Sequence, residues 1–449
     1  MNKNYWLHSG FYTLLDRFMQ MVFGFGGLFF LLRIFSKDDF GTWVIFLTIV
    51  SFIEVGRIGL LSNALVKYLN TSGDENYPVI VSASFALNLI LTAIFMVLLL
   101  VLAQPAALLF EAPSLAALLR IYAITTFLLT PHFQLTFLQQ ANMDFKGVFW
   151  SNIVKQGILF GFIVIAYLSQ MPINLESLAK VQVFAALPAG ITAYVIARKF
   201  VRIDRKIDLK WMKTLFAFGK FVLGTNLATM AYKSVDKMLL GILLNPIAVA
   251  SYELAVRISN LAEVPTFSMA TILFPKSVQL ADTEGFGTVK HLYEKSVGAI
   301  LAIVLPFIIA VWILAGWIIG FLGKGVYEDS TVLLRLTLLY GLFVPFSVQF
   351  GTVLDAIGKP RLNFHFTLLS AIVNLISNFI FISLLGVMGA AYGTLVSFII
   401  MFVLMQLMLH RTIKTNPFNA IPHMLNFYKE ILSYVDRSFI SGRAGLRGR

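Results

Sequence analysis

Ten of the 35 Lys and Arg residues in this 449-residue chain lie within long apolar stretches: Arg17, Arg57, Arg120, Lys155, Lys180, Lys220, Lys233, Lys237, Arg257 and Arg335. A Lys or Arg facing lipid at a helix centre costs about 2.5–3.5 kcal/mol on insertion scales, so ten would approach ~30 kcal/mol. That exceeds the roughly 5–15 kcal/mol by which a typical protein is stable. Most must face a wet, polar interior or reach the membrane surface. The best placed to line an interior are Arg17, Arg57, Lys155, Lys233 and Arg257, and such a lining suits passage of something anionic. Six acids share these stretches, Asp16, Glu54, Asp236, Glu253, Glu263 and Asp355, and of these Asp16, Glu54, Asp236 and Glu263 are the candidates for a coupling ion. A carboxylate in a low-dielectric interior can exchange a proton or hold Na⁺, so H⁺ or Na⁺ coupling is the expected chemistry and no cofactor is called for.

The polar residues fall on helical stripes. Thr13, Arg17, Gln20, Gly24 and Gly27 share one face, and Ser151, Asn152, Lys155 and Gln156 form a shorter cluster. Asn226, Thr229, Lys233 and Asp236 make a third stripe, and Glu253, Arg257, Asn260 and Glu263 a fourth. Asn363, Thr367, Ser370, Asn374 and Asn378 make a fifth, and together the five read as walls of one cavity. A packing role competes at several positions. Glu253–Arg257 (i,i+4) and Glu54–Arg57 (i,i+3) are spaced as ion pairs. Asp16 and Arg17 point about 100° apart and cannot serve each other. Arg120, Lys180, Arg335 and Lys237 lie near stretch ends, where long side chains reach the interface, and Lys220 lies off its helix's polar stripe.

The elements that must position these groups are membrane helices. The chain is 58% hydrophobic and 13% charged, against about 25% charged in a soluble domain. About twenty apolar residues cross a bilayer. On that measure there are about twelve spans, at 10–32, 41–66, 78–103, 115–138, 148–168, 177–197, 214–243, 248–274, 296–321, 331–356, 364–385 and 388–410. The first is too long, too charged and too poor in small residues at its end to be a cleaved leader. With both termini cytoplasmic, 22 Lys and Arg fall in cytoplasmic segments and three (Arg33, Lys37, Lys324) on the opposite side. The +13 net charge is thereby explained without nucleic acid.

A basic loop at 198–213 separates two halves, 1–197 and 214–410, expected to be pseudo-symmetric six-helix bundles. Sliding 40–67 onto 249–276 sets Trp43 on Tyr252, Glu54 on Glu263 and Lys67 on Lys276. A second echo pairs Gln140–Lys146 with Asp355–Arg361, and both keep orientation, as parallel repeats do. Residues 411–449 form a basic cytoplasmic tail. Within it, 424–439 carries an apolar stripe suited to a helix lying on the membrane surface, and Ser441–Arg449 reads as disordered. The chain has no cysteine, no Walker A run, no HExxH or other metal-ligand spacing and no GxSxG elbow, so enzyme chemistry and a metal site are not expected. A glycan polymerase would need a long outer loop, and here every outer loop is about a dozen residues at most.

Several stretches carry a family resemblance: Arg33-Ile-Phe-Ser36-Lys-Asp-Asp-Phe40-Gly41-Thr-Trp43, Gly56-Arg57-Ile-Gly59, Asp236-Lys-Met-Leu-Leu-Gly241, Ala250-Ser-Tyr252-Glu-Leu-Ala255, Tyr327-Glu-Asp-Ser330 and Leu354-Asp-Ala-Ile-Gly358-Lys359-Pro360. In order and spacing over 1–410 they resemble the polysaccharide flippases, O-antigen type, of the multidrug/oligosaccharidyl-lipid/polysaccharide exporter superfamily. The resemblance implies a V-shaped pair of bundles that alternates access and delivers a polyprenyl-pyrophosphate-linked oligosaccharide from the cytoplasmic to the outer leaflet. It implies an inner-membrane protein of surface polysaccharide assembly (O-antigen, capsule or exopolysaccharide), with membrane lipids, the polymerase and the chain-length machinery as partners. The five cations would then meet the pyrophosphate, and Asn374, Asn378 and Gln156 the sugars. A multidrug/cation antiporter of the same superfamily is the alternative, disfavoured because in-span bases outnumber acids.

Overall fold

The computed structural model describes residues 3–283 and 285–429. Among them the chain is helical and holds no strand. Two compact units divide it, one ending at Ala250 and one beginning at Ser251.

The first unit contains α1 (Lys3–Ile34), α2 (Lys37–Thr71), α3 (Tyr77–Leu109), α4 (Pro113–Leu128), α5 (Thr130–Ala141), α6 (Phe145–Leu168), α7 (Leu175–Ala197) and α8 (Leu209–Leu243). Side-chain caps start several of these. Ser36 accepts from Asp39 N at 3.1 Å, Asp144 from Gly147 N at 3.0 Å and Asn174 from Ser177 N at 2.9 Å. The expected fourth span is two helices, α4 and α5, bent by 47° where Pro131 cannot donate to the preceding turn. The division between units falls later than the basic loop, because α8 packs along α2 and α3. Gly219 permits this: a Cβ there would overlap the Leu60 carbonyl.

The helix α9 (Pro246–Ser259) crosses into the second unit, and a short 3-10 turn at Asn260–Glu263 separates it from α10 (Val264–Thr283). There follow α11 (Phe286–Gly323), α12 (Ser330–Leu338), α13 (Val344–Ala356), α14 (Pro360–Leu385) and α15 (Val387–Ile413). Among the described residues, nine helical segments are long and apolar enough to cross a membrane, or ten if α4–α5 is one span. The charge-rich α8 and the α9–α10 pair fall outside that number, and the chain is a multi-pass membrane protein.

The echoed turns at the ends of α5 and α13 fold alike. Met143 (φ 58°) and Gly358 (φ 76°) occupy the left-handed region, and Asp144 N and Lys359 N each donate to Gln139 O and Leu354 O at 2.8 Å. The sequence echo is therefore matched in the backbone of these two turns. Beyond α15, residues 420–429 are helical, and Tyr428 OH donates to Ala302 O of α11 at 2.7 Å. This part of the expected tail helix packs on α11. Residues 430–439 and Ser441–Arg449 lie outside the described residues.

Candidate functional site

In the first unit, α2 presents Glu54 towards α6. Its Oε1 accepts from Lys155 Nζ at 3.2 Å and from Tyr122 OH of α4 at 2.8 Å. The side chains of Lys155 and Glu54 keep 24% and 29% of their exposure, so a polar ligand can reach them. They share the wall of a cavity of about 250 Å³ with Ser51, Tyr122, Thr125, Gln156 and Gln182. Phe133 of α5 lies 4.7 Å from Lys155 Nζ, offering its ring face to the ammonium.

Arg57 lies one turn further along α2 and is 1% exposed. Its guanidinium is directed away from Glu54. Nη2 donates to Thr92 Oγ1 of α3 and to the Thr126 carbonyl of α4, both at 3.2 Å, and Cζ lies 5.0 Å from the Phe133 ring. The sequence spacing offered Glu54–Arg57 as a pair; packing against α3 and α4 gives each a different partner. Buried this deeply, Arg57 is not a surface that a head group could touch in this conformation.

The other candidates are dispersed. Asp16 accepts from Gln20 Nε2 at 2.7 Å and from Asn152 Nδ2 of α6 at 3.4 Å, which ties α1 to α6, while Arg17 on the next face is exposed. On α8, Lys233 is exposed and Asp236 half-buried, its Oδ1 accepting from Lys237 N at 2.9 Å. In the second unit, Arg257 Nε lies 3.7 Å from Glu253 Oε1, so the i,i+4 pair does form, and Glu263 is half-buried. Asn374 and Asn378 are 4% and 0% exposed. Asn378 Nδ2 donates to Asn374 and to Thr394 Oγ1 of α15 at 3.0 Å, which places both amides in the α14–α15 seam and out of a sugar's reach. Near stretch ends, Lys180 meets Glu176 at 3.3 Å, Arg120 reaches Gln104 at 3.4 Å and Arg335 stacks 5.1 Å from the Trp312 ring.

Of the sequence candidates, then, one cavity gathers Glu54, Lys155 and Gln156, with Arg57 behind its wall. The residues missed were Tyr122, Phe133 and the threonines Thr92, Thr126 and Thr130. Pro131 inside an apolar stretch, with Thr126 and Thr130 one turn apart before it, was the available signal of a break needing polar partners.

An all-helical multi-pass membrane protein with an ion pair on an internal cavity is the class this fold and site define. The chain belongs to the polysaccharide biosynthesis protein family, whose model matches residues 30–330. Two relatives come from Haloferax volcanii: the probable low-salt glycan biosynthesis flippase Agl15, 24% identical over 200 residues, and the probable flippase AglR, 25% identical over 267 residues. These matches cover 44% and 58% of this chain, which spans about half the length of these relatives (42% and 54%). Among solved structures, the lipid II flippase MurJ in an inward closed conformation superposes with a TM-score of 0.74 at 16% identity, covering 96% of this chain and 93% of its own. An inward-facing multidrug resistance MATE family transporter of the MOP superfamily gives 0.71 at 14% identity, covering 87% and 95%. The fold is thus the one these two transporters share.

Proposed function

We propose that this protein is a flippase for a polyprenyl-pyrophosphate-linked oligosaccharide, carrying the head group from the cytoplasmic to the outer leaflet while the polyprenyl tail stays in lipid. One observation carries the reading: Lys155 stands on the wall of an internal cavity, paired with a carboxylate that an anionic head group can displace. Family membership and two relatives described as probable flippases, one of them for glycan biosynthesis, support it. A pyrophosphate oxygen takes the Nζ protons from Glu54, and Gln156 and Gln182 offer amides to the sugar behind it. Arg17, Lys233 and Arg257 attract the head group on its way. Glu54, stripped of its cation, takes a proton to stay neutral, which couples transport to an ion gradient; Asp16, Asp236 and Glu263 are further stations for the coupling ion.

The setting is the inner membrane, in assembly of O-antigen, capsule or exopolysaccharide together with a polymerase and chain-length machinery. Lipid mass spectrometry on host membranes with and without the gene, with sidedness read by an impermeant periodate label, tests this. Accumulation of one polyprenyl-linked oligosaccharide on the cytoplasmic face after deletion supports the flippase. Unchanged pools and sidedness, with other flippases removed, would move the cation antiporter forward.

A further inference from the structure

We infer that Arg57 is a positioning residue: it sets the bend between α4 and α5, and through that bend the fit of Tyr122 and Phe133 around the Lys155–Glu54 pair. Pro131 has no N–H, so the Phe127 carbonyl one turn before it loses its ladder donor where α4 meets α5. The carbonyls of the last turn of α4 also carry the negative end of the helix dipole. In that turn Thr126 O accepts from Arg57 Nη2 at 3.2 Å and from Thr130 Oγ1 at 3.1 Å. Thr92 of α3 closes the knot, bound to Arg57 at 3.2 Å and to Thr130 Oγ1 at 2.9 Å.

Both groups that hold the cavity pair hang from this knot. Tyr122, one turn before Thr126 on α4, supplies the second hydrogen bond to Glu54. Phe133, less than a turn after Thr130 on α5, lies under both Arg57 and Lys155. The repeat supplies a comparison within the chain. At the register that sets 40–67 on 249–276, Arg57 falls on uncharged Thr266. The corresponding α12–α13 pair passes as one continuous span, Ser330–Ala356, where α4–α5 is bent by 47°.

The inference deepens the cavity reading above, and its first test does not depend on any cargo. The chain has no cysteine, so spin labels at Ile124→Cys on α4 and Met143→Cys just beyond α5, both exposed, report the bend selectively in the full-length protein in lipid nanodiscs. Arg57→Lys, which keeps the charge and one donor, is expected to preserve the inter-label distance, and Arg57→Gln to shift or broaden it. Transport of a polyprenyl-pyrophosphate oligosaccharide should fall about tenfold in Arg57→Gln at equal membrane level and recover in Arg57→Lys. Should Arg57→Gln fail to accumulate, the Thr92→Val/Thr130→Val double variant carries the same expectation. Unchanged distances would overturn the inference. So would loss of transport in Arg57→Lys with the bend intact, because that marks a bidentate contact to cargo. If no variant, nor the unaltered chain, moves the probe while the distances respond as stated, the flippase reading fails and the positioning role stands.

Discussion

Lys155 and Glu54 meet at 3.2 Å across α6 and α2, and the carboxylate is held again by Tyr122 at 2.8 Å. The two charges cancel, so the cavity is neutral until one partner is taken. An anionic head group and Glu54 therefore compete for one ammonium.

That competition predicts opposite effects from the two neutral variants. Glu54→Gln frees Lys155 and should tighten binding of polyprenyl pyrophosphate in vesicles about three- to tenfold, as removal of a competing state does. Lys155→Gln should abolish the gain in a double variant. Equal affinities across all three, by equilibrium binding to the full chain, would remove the competition.

Tyr122→Phe deletes one hydrogen bond to the half-buried Glu54 carboxylate. Hydrogen bonds to charged groups contribute about 1.5–3 kcal/mol, and a loss of that order should appear in unfolding of the detergent-solubilised protein. No change in stability would mean that Tyr122 does not hold Glu54.

Asn378→Leu separates a packing role from a sugar-contact role. Hydrogen bonds between membrane helices average about 0.6 kcal/mol and reach about 1.7, so a modest loss of stability is expected with glycan affinity unchanged. Weakened glycan binding at unchanged stability would return Asn378 to the cavity.

How much of this was legible in the sequence varies by residue. Lys155 stood out because a lysine deep in an apolar stretch must have a polar partner, but its partner did not. Glu54 has Arg57 three residues on, and only the approach of α6 decides which cation it meets. The apolar stretches mark a chain of membrane helices, of which nine or ten among the described residues are long and apolar enough to cross a bilayer; the break at Thr130–Pro131 needed the fold to show what fills it. Asn374 and Asn378 share a stripe that reads as a cavity wall. They form a seam because Gly389 and Gly393 let α15 approach: a Cβ at Gly389 would overlap the Phe381 carbonyl. The tail stripe gave no sign of the α11 contact that Gly298 allows to Ala420 and His423.

That docked segment should respond to pH. Glu294 accepts from Asn416 N at 2.8 Å and Asn419 Nδ2 at 3.0 Å, and the His423 ring lies 5.0 Å from His291. Desolvation first, then His291 and Lys295, hold His423 below its ordinary value of 6.5, with Glu294 opposing. A histidine lowered in the docked state contributes docking stability that is complete above the ordinary value and lost as pH falls. Hydrogen exchange across Asn416–Lys429 should therefore quicken, beyond the intrinsic rate change, as pH falls below the ordinary value of 6.5, and His423→Gln should remove the effect. A response that survives in His423→Gln would assign it elsewhere.

The most direct test of the central claim is flipping of a fluorescent polyprenyl-pyrophosphate oligosaccharide in proteoliposomes holding the full chain, read by an impermeant quencher, beside Lys155→Gln. The account predicts flipping well above protein-free vesicles, and a loss of about tenfold or more in the variant. Flipping no faster than in protein-free vesicles, or equal rates in both proteins, would contradict it.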